Sequence, residues 1–525
     1  MRTLFYNGKI HTLQGQELVS ALLVEDGIIT CSGNDADILN LKDNNCEVID
    51  LQGQVVVPGF NDSHLHLLGY GLAKRNVDLL LCKSLEEIKQ RVLTYRQEQR
   101  NCQIIYGRGW NQDCFDKPLI PQKSDLDAIC SDIPLVLTRV CGHIAVVNSA
   151  ALAHFGFNEN FKAPPGGDFD YEKGLLTEKT LELITNKSFS VEEIEEIIQA
   201  AVKDLWVCGI TSVQSDDFGC GEYGRVIQAY QNLATKNALG IRVYQQCLFS
   251  ELEKVQRFLR ETKDFVGSPW YSLGPIKLLS DGSLGARTAF LRTDYSDDPG
   301  NRGTSCFSKD DLAAIVETCN AAGVAVAIHC IGDGAIERAL DSIERARQIT
   351  GFSLRNGIVH CQITDPALLK RMGDLRVMAY VQPIFLDYDL HIVQDRVGAD
   401  LAASSYAFKT LQNLGANVAL GTDCPVEPFN TMNNIYCALS RQDLKGYPAA
   451  GYNPQEALSI QEALMAYTVN SAYCSYEENI KGKLCPGYYG DMAVLDQDIF
   501  NIDYVKIKET QVVKTIVAGK VVYQK

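Results

Sequence analysis

The chain holds 525 residues, 46% apolar and 22% charged, an ordinary balance for a folded globular protein that excludes disorder as a description of the whole. At this length the expectation is one large domain with an appendage, or two domains. The net charge of −16 comes without a long basic run, so neither a nucleic-acid nor an anionic-membrane partner is expected.

The opening MRTLFYNGKIHTLQGQ has no apolar core of signal-peptide length, and no stretch approaches the ~20 apolar residues of a membrane span. A cytoplasmic protein is expected. The 18 cysteines form no C-x-x-C pair and read as reduced thiols packed as small hydrophobes.

Residues 1–57 read as short strands broken by Asn-Gly and Asp-Gly hairpin signals, and residues 484–525 read the same way in DMAVLDQDIF and TIVAGKVVYQK. The two ends are therefore expected to pair into one small composite β domain.

Between them, residues 58–483 alternate short runs rich in Val and Ile with amphipathic helical stretches, the pattern of parallel β/α units. Eight strands are predicted, at 55–62, 210–216, 242–248, 275–281, 324–330, 357–362, 377–383 and 418–423. Eight such units imply a closed (β/α)8 TIM barrel of fold class α/β. Setting aside an insertion at 72–200 leaves about 290 residues for it, near the ~250 typical of the fold. The insertion has its own apolar strand, PLVLTRV, and a helical run, SVEEIEEIIQAAVKDLW, and reads as an inserted α/β cap.

Only eight histidines occur, and four fall where these strands end. His64 and His66 form His-Leu-His after the first barrel strand, and period-two alternation points both rings to one side, where two neutral nitrogens can chelate one divalent cation. Standing alone, such a pair is more often a plain surface or core feature.

Lys277 lies inside the apolar run Pro-Ile-Lys-Leu-Leu of the fourth strand, where an unpaired cation is costly, so it must pair, deprotonate or be modified. Two outcomes are open: an ion pair with Asp281 or another carboxylate, or addition of carbon dioxide to give a carbamate that bridges two metals. His329 ends the fifth strand, His360 the sixth and Asp423 the eighth. All six side chains thus gather at the C-terminal strand ends, the face where barrel enzymes place their active sites. Cys330, Cys361 and Cys424 each follow one of these residues, and alternation turns their thiols outward as packing groups.

The order His-x-His, Lys, His, His, Asp resembles the amidohydrolase superfamily. VPGFNDSHLH (57–66), KLLSDGSLGARTA (277–289), HCIGD (329–333) and GTDCPVEP (421–428) resemble its YtcJ-type branch of metal-dependent hydrolases, which includes N-substituted formamide deformylase. The resemblance runs essentially end to end. It implies that His64 and His66 bind one metal, that His329 and His360 bind another, and that carboxylated Lys277 bridges them. Asp423 would bind metal and act as the catalytic proton shuttle. The implied cofactor is zinc or another divalent metal, one or two per chain.

The implied reaction is hydrolysis of a non-peptide carbon–nitrogen bond in a small amide-like substrate, by a homodimer. Trp110, Asn111 and His143 resemble family segments that lean over the barrel mouth, and for each of them substrate contact and a packing or hydrogen-bonding role are equally open. Arg287, after the fourth strand, is placed to hold a substrate carboxylate or an aspartate of the scaffold. Departures from the family pattern at Cys424 and Cys141 put substrate identity in question, not the metal chemistry. The rival readings are a cyclic-amide hydrolase, a deaminase of the same superfamily, and a non-catalytic regulatory protein that keeps the fold.

Overall fold

In a computed structural model, residues 2–525 are described apart from 16–17, 81, 101, 140–143 and 186–188. The run VVVPGFND, predicted as one strand, is two. Val55–Pro58 pairs with Lys9–His11 and with Met492–Leu495, whereas Phe60–Leu65 pairs with Ile210–Asp216 in a different sheet. Gly59 is the corner between them. A Cβ there would lie 2.1 Å from Oγ1 of Thr211, so only glycine allows this approach.

The chain ends therefore share a sheet, in the order Lys520–Gln524, Val512–Val517, Met492–Leu495, Val55–Pro58, Lys9–His11, Leu18–Val19. A second sheet joins Ile28–Gly33, Ala21–Glu25, Arg2–Tyr6 and Cys46–Asp50. Phe5, Leu22 and Ile29 from this sheet pack with Val56, Met492, Val494 and Ile516 from the other to form a sandwich core.

The barrel is an eight-stranded parallel sheet: β1 (Phe60–Leu65), β2 (Ile210–Asp216), β3 (Arg242–Leu248), β4 (Tyr271–Leu279), β5 (Val326–Cys330), β6 (Gly357–His360), β7 (Met378–Val381) and β8 (Asn417–Leu420). Each strand is hydrogen-bonded to the next. The β1–β8 seam is joined just past the end of β8, where the Asp423 N–H donates to the His64 carbonyl and the His66 N–H to that of Cys424, each at 2.8 Å. Asp62 also staples the seam, accepting from Thr422 Oγ1 at 2.7 Å and from its N–H at 3.2 Å.

The helices between strands bury one face each. In Asp333–Thr350, for example, Ile336, Ala339, Leu340, Ile343 and Ala346 are buried at helical spacing, and Gly351 ends the helix in the left-handed conformation. Residues 1–68 and 191–525 form one compact unit and 69–190 a second. The helix Val191–Val207, read from the sequence as part of the insertion, thus belongs with the barrel.

The second unit has its own six-stranded sheet: Val77–Asp78, Ile105–Trp110, Leu135–Arg139, Ile144–Val147, Leu175–Thr177 and Phe169–Asp170. Leu79, Val92, Ile105, Trp110, Leu126 and Leu137 form its core. Among the described residues no helix is long and apolar enough to cross a membrane.

Candidate metal centre at the barrel mouth

Inward-facing positions of the strands bring the charged and imidazole groups together. Donor atoms of His64, His360 and Asp423 all lie within 4.8 Å of one another. Oδ1 of Asp423 is 3.2 Å from Nε2 of His64 and 3.1 Å from Nε2 of His66. Nε2 of His360 is 2.9 Å from Nδ1 of His329. Lys277, 1% exposed, donates to Nε2 of His64 at 3.3 Å and is 3.6 Å from Oδ2 of Asp216. Its carboxylate partner is therefore Asp216. Asp281 instead accepts from the N–H groups of Phe290, Ile331 and Gly332 and faces Nε2 of His329 at 3.3 Å.

The outer nitrogen of every ring meets an oxygen. His64 Nδ1 donates to Oε1 of Gln246 at 2.7 Å, and His66 Nδ1 to the Asp216 carbonyl at 2.7 Å. His360 Nδ1 donates to Oε1 of Gln382 at 2.8 Å, and His329 Nε2 to the Gly282 carbonyl at 3.1 Å. Both glutamines are oriented by their own amide N–H groups, which donate to the Ser63 and Tyr380 carbonyls. These acceptors fix the tautomers of the neutral rings, so the second nitrogen of His64, His329 and His360 turns a lone pair inward. His329 and His360 then point two lone pairs at each other across 2.9 Å with no proton between them. That arrangement fits a shared cation.

The electrostatics agree. Burial, followed by the Lys277 charge, lowers His329 to about 4 and also lowers His64. Burial and then the neighbouring His329 push His360 well below its ordinary value. Three rings are thus held neutral, the form that ligates metal. Burial also opposes a charge on His66, but Asp423 overrides it and lifts that ring to about 9. Burial works against ionised Asp423 too, yet the His64 and His66 rings beside it hold the carboxyl well below its usual range. A proton on His66 sits where a cation would otherwise serve the same carboxylate.

Trp110 and Asn111 fall in the 69–190 unit. Trp110 is fully buried in the core of the 69–190 unit, where its Nε1–H donates to the Leu137 carbonyl at 2.8 Å. Asn111 accepts from Nη2 of Arg139 at 3.0 Å. His143 and Cys141 lie outside the described residues. Arg287 takes the scaffold option, holding Asp297 through Nε at 3.0 Å and Nη2 at 2.8 Å. Cys330, Cys361 and Cys424 are buried, and burial pushes all three thiols up.

Sequence reasoning missed Gln246, Gln382, Asp216 and Asp62. The signal that exposed Lys277, a polar residue at an inward position of an apolar strand, also marks Gln246 in RVYQQCL and Gln382 in VMAYVQP.

Residues 47–523 match the model of the Amidohydrolase family. The chain belongs to that family. This amidohydrolase is 33% identical to the putative amidohydrolase YtcJ of Bacillus subtilis (strain 168), over 100% of both chains. It is 22% identical to the N-substituted formamide deformylase of Arthrobacter pascens, over 99% of this chain and 98% of that one. The solved structure of an uncharacterized metal-dependent hydrolase from Pyrococcus horikoshii OT3 superposes with a TM-score of 0.80 at 31% identity, covering 96% of this chain and 99% of the other.

Proposed function

We propose that this amidohydrolase cleaves a carbon–nitrogen bond of the amide or formamide type in a small molecule, with zinc held among His64, His66, Lys277, His329, His360 and Asp423. The observation that carries the reading is the inward set of ring nitrogens, each backed by an outer acceptor, around one ionised carboxylate. The formamide deformylase relative supports the bond type.

A bound divalent cation would supply Lewis acidity and bring the pKa of an attached water toward neutrality. The chain's own groups do the rest. Asp423, held ionised, accepts a proton from the attacking water at Oδ1 and passes it to the leaving nitrogen, since an amine leaves poorly as an anion. Lys277 is buried between His64 and Asp216 and serves as a carbamate: its ammonium gives up one proton, the neutral Nζ bonds to the carbon of carbon dioxide with release of a second, and the two oxygens gained share one negative charge.

The test is to purify the protein with and without added zinc or manganese and to screen N-formyl, N-acyl and cyclic amides. Hydrolysis confined to the metal-loaded form is expected. Asp423→Asn should lower turnover by about 10²–10⁴-fold while metal content stays near normal. Full activity in that variant would remove Asp423 from the mechanism. No bound metal together with no hydrolysis of any amide would sink the hydrolase reading.

A further inference from the structure

We infer that Asp216 is a further ligand of the metal centre, its carboxylate binding the cation held by His64 and His66. This deepens the hydrolase reading and rests on its metal site. The Asp216 side chain is 1% exposed, and neither of its oxygens meets a hydrogen-bond donor among the described residues. Among those residues it is the one carboxylate with both oxygens buried and unpartnered. A buried carboxylate without donors is costly and calls for a cation.

The neighbouring buried carboxylates are served by the chain. Asp217, the next residue, accepts from the Tyr230 hydroxyl at 2.6 Å and from the Leu68 N–H at 2.8 Å. Asp62 accepts from Thr422, and Asp281 from three backbone N–H groups. Asp423 lies against Nε2 of both His64 and His66.

Asp216 has Lys277 instead, whose Nζ stands 3.6 Å from Oδ2, beyond hydrogen-bond reach. Carbamate formation takes that cation away. The lysine turns from positive to negative, and a pair of opposite charges becomes two anions side by side in a closed site. Like charges this close are held together only by a proton or by a cation that both can reach. A carbamate on Lys277 and an unserved carboxylate on Asp216 therefore point to the same metal.

The position suits the role. Asp216 ends β2 opposite Gln246 of β3, and its own carbonyl accepts from His66 Nδ1 at 2.7 Å, so its backbone is already fixed to one ring of the His64 and His66 pair. From Asp216 Oδ2 to Lys277 Nζ is 3.6 Å, from there to His64 Nε2 3.3 Å, on to Asp423 Oδ1 3.2 Å and to His66 Nε2 3.1 Å. Neighbouring ligands on a tetrahedral zinc with bonds of ~2.1 Å stand about 3.4 Å apart. The side chains around His64 are thus already spaced as groups that gather on a cation, with Asp216 at one end of the row.

The direct test is a crystal structure of the zinc-loaded wild-type protein, with anomalous scattering to place the metal. An Asp216 oxygen about 2.0–2.2 Å from zinc is expected. An Asp216 carboxylate that touches only Lys277, as ammonium or as carbamate, overturns the inference. In solution, chelator competition should show zinc affinity falling by more than about 100-fold in Asp216→Asn, beyond the 10–100-fold of a group that merely orients a ligand. Asp216→Glu, which keeps the carboxylate on a longer arm, should recover part of that loss. A smaller loss in Asp216→Asn, or one that Asp216→Glu shares in full, overturns the ligand. Where Asp216→Asn does not fold, the position of zinc in the wild type decides alone.

Neither readout uses turnover. Zinc on Asp216 in a protein that hydrolyses no amide upholds the ligand and sinks the hydrolase reading. Amide hydrolysis by a protein whose zinc stands clear of Asp216 overturns the ligand alone, and wild type that binds no zinc overturns both.

Discussion

Asp423 and His64 are joined twice. The Asp423 N–H donates to the His64 carbonyl at 2.8 Å, and the Asp423 Oδ1 lies 3.2 Å from the His64 Nε2. The first contact closes the seam between the first and last barrel strands, and the second belongs to the candidate metal site. Asp423 has φ 59°, a left-handed conformation that turns its carboxylate inward while its N–H stays in the seam. Barrel closure and donor placement are therefore coupled.

That coupling predicts the effect of Gly421→Ala. A Cβ at 421 would lie 2.7 Å from the His64 N and 2.9 Å from Oδ1 of Asp62, so the last strand has to retreat from the first. Overpacking of this kind costs about 1–3 kcal/mol. Denaturant unfolding should report that loss, and chelator competition should report weaker metal binding. Unchanged metal affinity would separate the seam from the site.

The acceptors behind the histidines are expected to matter as much as their distance from the cation allows. Gln246→Leu removes the oxygen that holds His64 Nδ1–H, and Gln382→Leu does the same for His360. Loss of such an orienting partner weakens metal affinity by about 10–100-fold. Zinc titration against a chelating dye checks it, and an unaltered affinity in both variants would mean that backbone geometry alone fixes the rings.

These glutamines mark the limit of what the sequence reveals. All eight strands were legible because their apolar runs are short, bounded and separated by amphipathic helices, and β2 and β3 were placed to the residue. His64, Lys277, His360 and Asp423 were legible because ionisable groups inside apolar strands are costly unless something binds them. A glutamine carries no charge and signals less, although its burial is as complete. The Gly59 corner was hidden because a run of Val is apolar on either side of it, and only the close approach of Thr211 divides it into two sheets. Trp110 was ambiguous for the opposite reason: an aromatic in a glycine-rich segment reads equally well as a ligand contact or as core.

Lys277 and Asp216 form a buried pair, each with a side chain 1% exposed, and neither Asp216 oxygen has a hydrogen-bond partner among the described residues. Removing one partner of such a pair leaves an uncompensated charge. In metal-free protein Lys277→Met should therefore lose about 3–5 kcal/mol, and Lys277→Met with Asp216→Leu should recover much of it. Denaturant midpoints of the two single variants and the double variant measure the coupling. Additive losses would show that the pair contributes nothing.

Asp389 provides a test of burial by pH. Its carboxyl accepts from the Tyr406 hydroxyl at 2.8 Å and from Gln362 at 3.1 Å, and burial outweighs both, raising it from 3.8 to about 6. Between those values the folded chain holds a proton there that the unfolded chain has released. Stability from this group is therefore greatest below the unfolded value, falls as pH rises toward 6, and is level above it. The change is worth at most about 3 kcal/mol. Other carboxylates titrate over the same range in the opposite sense, so the quantity to measure is the stability of wild type minus that of Asp389→Asn between pH 4 and 7. A difference that declines with pH is expected, and a flat or rising one would show that the two hydrogen bonds, not burial, set this carboxyl.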